Sequence, residues 1–187
     1  MPSLALNLAH VDLRVISVED APDLLRLYSD SRTTEFLPLR IDTITDAERV
    51  VFGYLACWQE RGFGLWSIRE RDTGRMIGRC GFLYWNDSEP EVPQYELAYL
   101  IEPEAWGRGT ATECAQACLR FGFETRGFDR VFAKTNERNI GSWRVMEKLG
   151  MTKAPMERFN SQHKVFYTMS SEQWHALSSR HTDDAER

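Results

Sequence analysis

No run of apolar residues in this sequence approaches the roughly 20 that a membrane-spanning helix needs. The opening, MPSLALNLAHVDLRV, lacks both the basic start and the long apolar stretch of a secretory leader. A cytoplasmic protein with no membrane partner is therefore expected. Cysteine is scarce, with four among 187 residues. Cys114 and Cys118 share a helix face, but no His or further Cys stands at ligand spacing nearby, so neither a metal site nor a disulfide framework is expected. An excess of positive charge is also missing: the net charge of -5 argues against a nucleic-acid partner. Low-complexity linkers and internal repeats are absent. The chain, 42% apolar, reads as one globular unit with a real core.

What is present is an alternation of strand-like and helix-like segments. VDLRVISVED supplies a first strand, and a helix follows over Ala21 to Ser29. SRTTEFLPLRID reads as loop, broken by Pro38. Thr45 and Glu48 then form an S/T-x-x-E capping box ahead of a helix that ends near Gly62. GLWSIRERDTGRMIGRCGFLYW reads as a hairpin around Asp72-Thr73-Gly74. YWNDSEPEVPQ is a loop, and YELAYLI is a strand stopped by Pro103. After two glycines a helix runs to about Arg126, DRVFAKTN is a strand, and NIGSWRVMEKLGM is a short helix ending at Gly150. KVFYTMS closes as a strand, with one or two helical turns beyond it. The order implies a mixed α/β sandwich on one central sheet, and the hairpin forbids an all-parallel one.

The segment YLIEPEAWGRGTATE joins a strand to a helix through Gly107 and Gly109. Unpaired amides at a helix start favour an anion, and glycine lets the backbone come close to it. A Walker loop is excluded because no Lys-Ser or Lys-Thr follows. A dinucleotide fingerprint lacks its third glycine and its simple βαβ setting. A sharp turn without a ligand remains the plain alternative.

Residues Trp106-Gly107-Arg108-Gly109-Thr110-Ala111 resemble the acetyl-CoA loop of the GNAT superfamily of N-acetyltransferases, Q/R-x-x-G-x-G/A, with Trp in first place. GLWSIRERDTGRMIGRCGF, ELAYLIEPEAWGRGTATE, TNERNIGSWRVMEKLGM and SRTTEFLPL are similar to the branch of ribosomal-protein N-terminal acetyltransferases (RimJ/RimL-like). The likeness covers about residues 10 to 170. It implies a GNAT-like α/β fold. The mixed sheet would have six to seven strands, splayed between the fourth and fifth and flanked by about four helices. Residues 1–187 would be a single domain, with 171–187 as a C-terminal extension.

The resemblance implies acetyl-CoA as co-substrate and direct attack by an amine acceptor. Backbone groups at Leu100 and Ile101 would meet the pantetheine arm. The amides of Gly107, Arg108, Gly109, Thr110, Ala111 and Thr112 would cradle the diphosphate, and Asn139 would lie close to the pantetheine. Glu96 is the candidate base, against the plainer reading of a solvated or ion-paired strand residue. The position where many relatives carry an acidic Tyr holds Met146, so Ser142 is the candidate acid, with Tyr99 and Tyr167 behind it. An α-amine costs about 1 kcal/mol to deprotonate at pH 7 and a lysine about 4.6, so a base matters more for the second.

Phe36, Leu37, Trp66 and Trp85 are the candidate acceptor contacts, with a place in the core the plainer reading for the tryptophans. Asp87, Glu89 and Glu91 lie nearby in sequence and would suit a cation, or else merely keep a loop soluble. Arg32, Arg40 and Arg79 would instead meet a carboxylate. The expected reaction is acetyl transfer to a protein N-terminal α-amine. Two alternatives stand beside it, a small-molecule amine acetyltransferase and a CoA-binding sensor without turnover. Family habit implies a homodimer.

Overall fold

The computed structural model describes residues 5–85, 95–154 and 163–185. Its strands are β1 (Leu6–Asn7), β2 (Val11–Val15), β3 (Leu65–Glu70), β4 (Met76–Tyr84), β5 (Tyr95–Ile101), β6 (Arg130–Asn136), β7 (Thr152–Ala154) and β8 (Lys164–Ser170). They form one sheet in the order β1-β2-β3-β4-β5-β6-β8-β7. The count exceeds the expected six to seven because β1 and β7 have two and three residues, too few to show an alternating pattern. The helices are α1 (Ala21–Ser29), α2 (Ser31–Thr34), α3 (Ile44–Arg61), α4 (Thr110–Arg120), α5 (Ile140–Lys148) and α6 (Ser171–Ala185). The short α2 lies in a stretch expected to be loop. At 15 residues, α6 is longer than the one or two turns expected.

The cap of helix α3 lies two residues before the expected one. Thr43, not Thr45, is the N-cap, and its side chain accepts from the Asp46 amide at 3.1 Å. Asp46 in turn accepts from the Thr43 amide at 3.1 Å, so Thr43 and Asp46 form the reciprocal box in place of Thr45 and Glu48.

The sheet separates two apolar layers. One holds Trp66, Ile68, Phe82 and Leu97 against Cys114, Cys118 and Leu119 of α4 and Met146 of α5. The other packs Leu24 and Leu27 of α1 and Val51 of α3 over Met76 and Leu100. Trp66 is 0% exposed, with Trp58 edge-on at 4.6 Å and Phe121 at 5.1 Å. It is a core residue and has no surface to offer an acceptor, which corrects the expectation for it.

One joint in the sheet differs from the rest. Neighbouring described strands pair antiparallel except β5 and β6, which run parallel. Their pairing covers Tyr95 with Val131 and Glu96 with Phe132 and stops there. From Leu97 onward β5 has no paired strand on that side among the described residues, which leaves a gap between β5 and β6.

Candidate active site

The gap and the glycine turn belong together. After β5, Pro103–Ala105 make one turn of 3-10 helix, and Trp106 leads into the glycines. Gly107 (φ 75°) and Gly109 (φ 83°) both take the left-handed backbone that side chains resist. Gly109 is the N-cap of α4, and no side chain caps that end. The first bond back into the helix runs from the Glu113 amide to the Gly109 carbonyl, 3.0 Å. The amides of Thr110, Ala111 and Thr112 therefore have no intrahelical partner. A Cβ placed on Gly107 or Gly109 would meet nothing within 4 Å. Bare amides, positive helix end and free space fit the diphosphate of a coenzyme A.

Along β5 the backbone alternates between two neighbours. The Glu102 amide donates to the Ile77 carbonyl at 2.8 Å, and in the same register Leu100 stands opposite Arg79. Alternation then commits Leu100 to the ladder with β4 and turns Ile101 and Tyr99 to the gap. Ile101, not Leu100, offers backbone groups there. Its carbonyl accepts from the Trp106 indole at 2.7 Å, so the Trp in first place of the loop closes back on the strand.

Side chains alternate as well. Glu96 lies on the face covered by α1 and α3, Tyr99 on the face covered by α4 and α5. Glu96 is 7% exposed. Lys134 of β6 holds it with Nζ 3.1 Å from Oε2, and the Trp85 indole N–H donates to the same oxygen. Both contacts fall on Oε2, and no described residue bonds Oε1. The Lys134 ammonium sits 3.2 Å from the centre of the Trp85 ring. Burial pulls the Lys134 pKa below the usual lysine value, while the Glu96 carboxylate opposes that pull. Nothing in the sequence pointed to Lys134, because its partner Glu96 lies on another strand and only the parallel joint brings them together.

On the opposite face, Asn139 is the N-cap of α5, its Oδ1 accepting from the Ser142 amide at 3.3 Å. Tyr99 Oη donates to the Ser142 carbonyl at 2.8 Å and lies 3.1 Å from Ser142 Oγ. Burial pushes the Tyr99 phenol well above the ordinary tyrosine range. Met146 is buried at 1% exposure, closed into the core below. Tyr167 donates instead to Glu147 at 3.2 Å.

The other acceptor candidates divide. Phe36 and Leu37 are half-buried after α2, with Leu37 packed against the second core. Trp85 is 42% exposed. Arg32 is taken up by Asp30 at 2.6 Å and Glu104 at 2.8 Å, and Arg40 is exposed. Arg79 is buried. Asp87, Glu89 and Glu91 fall outside the described residues.

A sheet that opens beside an anion cradle defines the class of enzymes that hold an acyl thioester in the opening and pass its acyl group to an amine. Residues 10–152 match the acetyltransferase (GNAT) domain profile, and the chain belongs to that family as an acetyl-CoA-dependent N-acetyltransferase. It is 30% identical to the Bacillus subtilis N-acetyltransferase YoaA over 142 residues, 75% of this chain and 78% of the relative. It is 37% identical to Bacillus subtilis YkkB over 94 residues, which span 49% of this chain and 54% of that relative. An acetyltransferase from Agrobacterium tumefaciens superposes with a TM-score of 0.75 at 25% identity, covering 90% of this chain and 95% of that one. The RimL ribosomal α-N-protein acetyltransferase in complex with coenzyme A shares the fold, with a TM-score of 0.76 at 18% identity over 90% and 99% of the two chains. No described helix is long and apolar enough to cross a membrane.

Proposed function

We propose that this N-acetyltransferase takes the α-amine at the N-terminus of a protein or peptide as its acceptor. The observation that carries this reading is an open groove of about 620 Å³ between α3 and the end of β4. It passes Val50, Tyr54 and Cys57 and reaches Trp85, whose indole hydrogen-bonds Glu96. A groove open to solvent has room for the end of a chain. An α-amine also asks little of the base, about 1 kcal/mol at pH 7.

Acetyl-CoA supplies the acyl group as a thioester. The amides of Thr110, Ala111 and Thr112, with the glycines on either side of Arg108, would hold the diphosphate. The backbone of Ile101 faces the gap where the pantetheine would run, and its amide is placed to polarise the acyl oxygen. Asn139 would stand beside the same arm. Glu96 takes a proton from the acceptor ammonium through Oε1, directly or through one water, while Lys134 and Trp85 hold the other oxygen in place. The amine nitrogen forms the new C–N bond as the C–S bond breaks. Ser142 gives its hydroxyl proton to the departing sulfur, and the second proton that the nitrogen sheds as it becomes an amide restores the Ser142–Tyr99 pair. Base and acid thus stand on opposite faces of β5. Phe36, Leu37 and Trp85 would line the acceptor path.

Mass spectrometry of a peptide and amine library incubated with acetyl-CoA tests the reading. The expected product is a peptide acetylated at its first residue, with one thiol released per acetyl group. Acetylation confined to small amines, or coenzyme binding without thiol release for any amine, overturns it.

A further inference from the structure

Four charged side chains are buried among the described residues. Three have an opposite charge beside them. Asp20 is held by Arg69, Glu102 by Arg26 and Arg75, and Glu96 by Lys134. The fourth, Arg79, has none. It is 5% exposed, and its partners among the described residues are neutral: Nε and Nη2 both donate to the Tyr28 hydroxyl, at 3.1 and 2.6 Å. Its Cζ lies 5.7 Å from the Tyr28 ring and 5.9 Å from that of Tyr54. Nη1 is buried with no hydrogen-bond partner among the described residues. Guanidinium does not discharge at any ordinary pH, so burying it against neutral groups is costly unless an anion joins it.

Position supplies the second part of the argument. Arg79 stands opposite Leu100, one strand away from the gap, and its side chain lies on the same face of the sheet as Glu96. Glu96 and Leu100 are four residues apart on β5, about 13 Å at roughly 3.3 Å per residue. Both side chains close part of that span. Tyr54 lines the groove and also flanks Arg79, so the buried cation lies behind the groove wall. The other buried side-chain atom without a partner, Thr33 Oγ1, belongs to α2, which follows the helix that supplies Tyr28.

We propose that Arg79, framed by Tyr28 and Tyr54, is an anion site that takes a carboxylate carried a few bonds from the acceptor's amine. The inference rests on the acetyl-transfer reading and narrows its acceptor. With the Tyr54 side chain turned aside from the groove wall, Nη1 is uncovered and binds the carboxylate while the amine is delivered to Glu96. Two sources share this chemistry: a peptide whose first residue is acidic, and a free amino acid.

The test compares kcat/KM for matched acceptors in the wild type and in Arg79→Met. One arm pairs peptides beginning with Glu or Asp with those beginning with Gln or Asn. The other pairs free amino acids with their amides. A wild-type preference of tenfold or more for the carboxylate in one arm is expected, falling to about one in Arg79→Met with the change mostly in KM. The arm that responds identifies the source. Dividing by the variant's ratio cancels the intrinsic basicity of each amine. Arg79→Lys keeps a cation for folding but loses the planar fork, and a preference reduced at least fivefold is expected. Succinate alone is expected to raise the wild-type Tm and to leave that of Arg79→Lys unchanged. A ratio equal in wild type and variant, or a wild type without preference and without a succinate shift, overturns the proposal. Absence of turnover with every acceptor overturns the acetyl-transfer reading, and the succinate measurement then decides the anion site by itself.

Discussion

Tyr99 and Ser142 meet across the opening in the sheet, the phenol donating to the serine carbonyl at 2.8 Å and lying 3.1 Å from its hydroxyl oxygen. A strand residue and a helix residue thereby form one hydrogen-bonded unit on the face of β5 covered by α4 and α5. Where relatives use a single tyrosine on the helix, this chain has Met146 there and a Ser–Tyr pair beside it.

If the pair acts as a unit, its members do not add. Ser142→Ala is expected to lower kcat by about tenfold to a hundredfold, within the range of general-acid effects. Tyr99→Phe lowers kcat less, and the double variant is no slower than Ser142→Ala. Steady-state thiol release with a saturating peptide acceptor measures all three. A product of the two single effects in the double variant separates the roles.

Glu96→Gln keeps an acceptor oxygen for Trp85 and removes the charge. At pH 7 the variant is expected to lose roughly a hundredfold in kcat/KM. The deficit shrinks as the pH approaches 9, because an α-amine with pKa near 8 then supplies its own free base. A pH profile of kcat/KM with a neutral peptide checks this. A deficit independent of pH points to positioning by Glu96 rather than proton transfer.

Gly107→Val and Gly109→Val strain a left-handed backbone by about 1 to 2 kcal/mol and place a side chain in the free space above the helix start. Coenzyme A affinity, by isothermal titration, is expected to fall at least tenfold. Circular dichroism at 25 °C is expected to stay native, since no protein atom lies within 4 Å of the added Cβ.

The tryptophans 66 and 85 should part company. Trp66→Ala empties a fully buried site between Trp58 and Phe121, at a cost of about 3 to 5 kcal/mol. Trp85→Ala is expected to cost less than about 1 kcal/mol and to raise the acceptor KM. Urea denaturation and peptide kinetics on the two variants give the comparison.

Burial pushes the Tyr54 phenol up to about 12, with the Arg79 cation opposing the shift. A raised folded value means that the native state keeps a proton the unfolded chain loses near pH 10. Its contribution is therefore complete below pH 10 and is lost as the pH climbs to about 12. Tyr54→Phe is expected to flatten the decline of Tm between pH 10 and 12 and to remove a step near pH 12 from a phenolate absorbance titration.

The glycine turn was legible because it depends on backbone shape: only a residue without Cβ takes φ near +80° twice in three positions. The strands of the hairpin were legible from two strand-like runs around the Asp72-Thr73-Gly74 turn signal, and β5 from its apolar run stopped by Pro103. Thr43 and Asp46 were missed because two overlapping S/T-x-x-acid patterns, starting at Thr43 and Thr45, compete for one helix start, and sequence alone does not rank them. Trp66 was misplaced because a strand pattern gives alternation, not which face meets Trp58 and Phe121. The Glu96–Lys134–Trp85 cluster and the isolation of Arg79 were out of reach for a different reason. Both depend on strands distant in sequence lying side by side, and on charges that are absent nearby as much as on those present.

The parallel joint of two residue pairs leaves β1–β5 and β6–β8 as two plates sharing a short seam. A coenzyme lying in that seam would rivet them. Its contribution to the folded state grows as RT ln(1 + [L]/Kd), about 2.7 kcal/mol at a hundredfold excess over Kd. The lifetime of this protein would then rise and fall with the acyl-coenzyme supply around it, making the seam a gauge of that supply as well as a place of reaction.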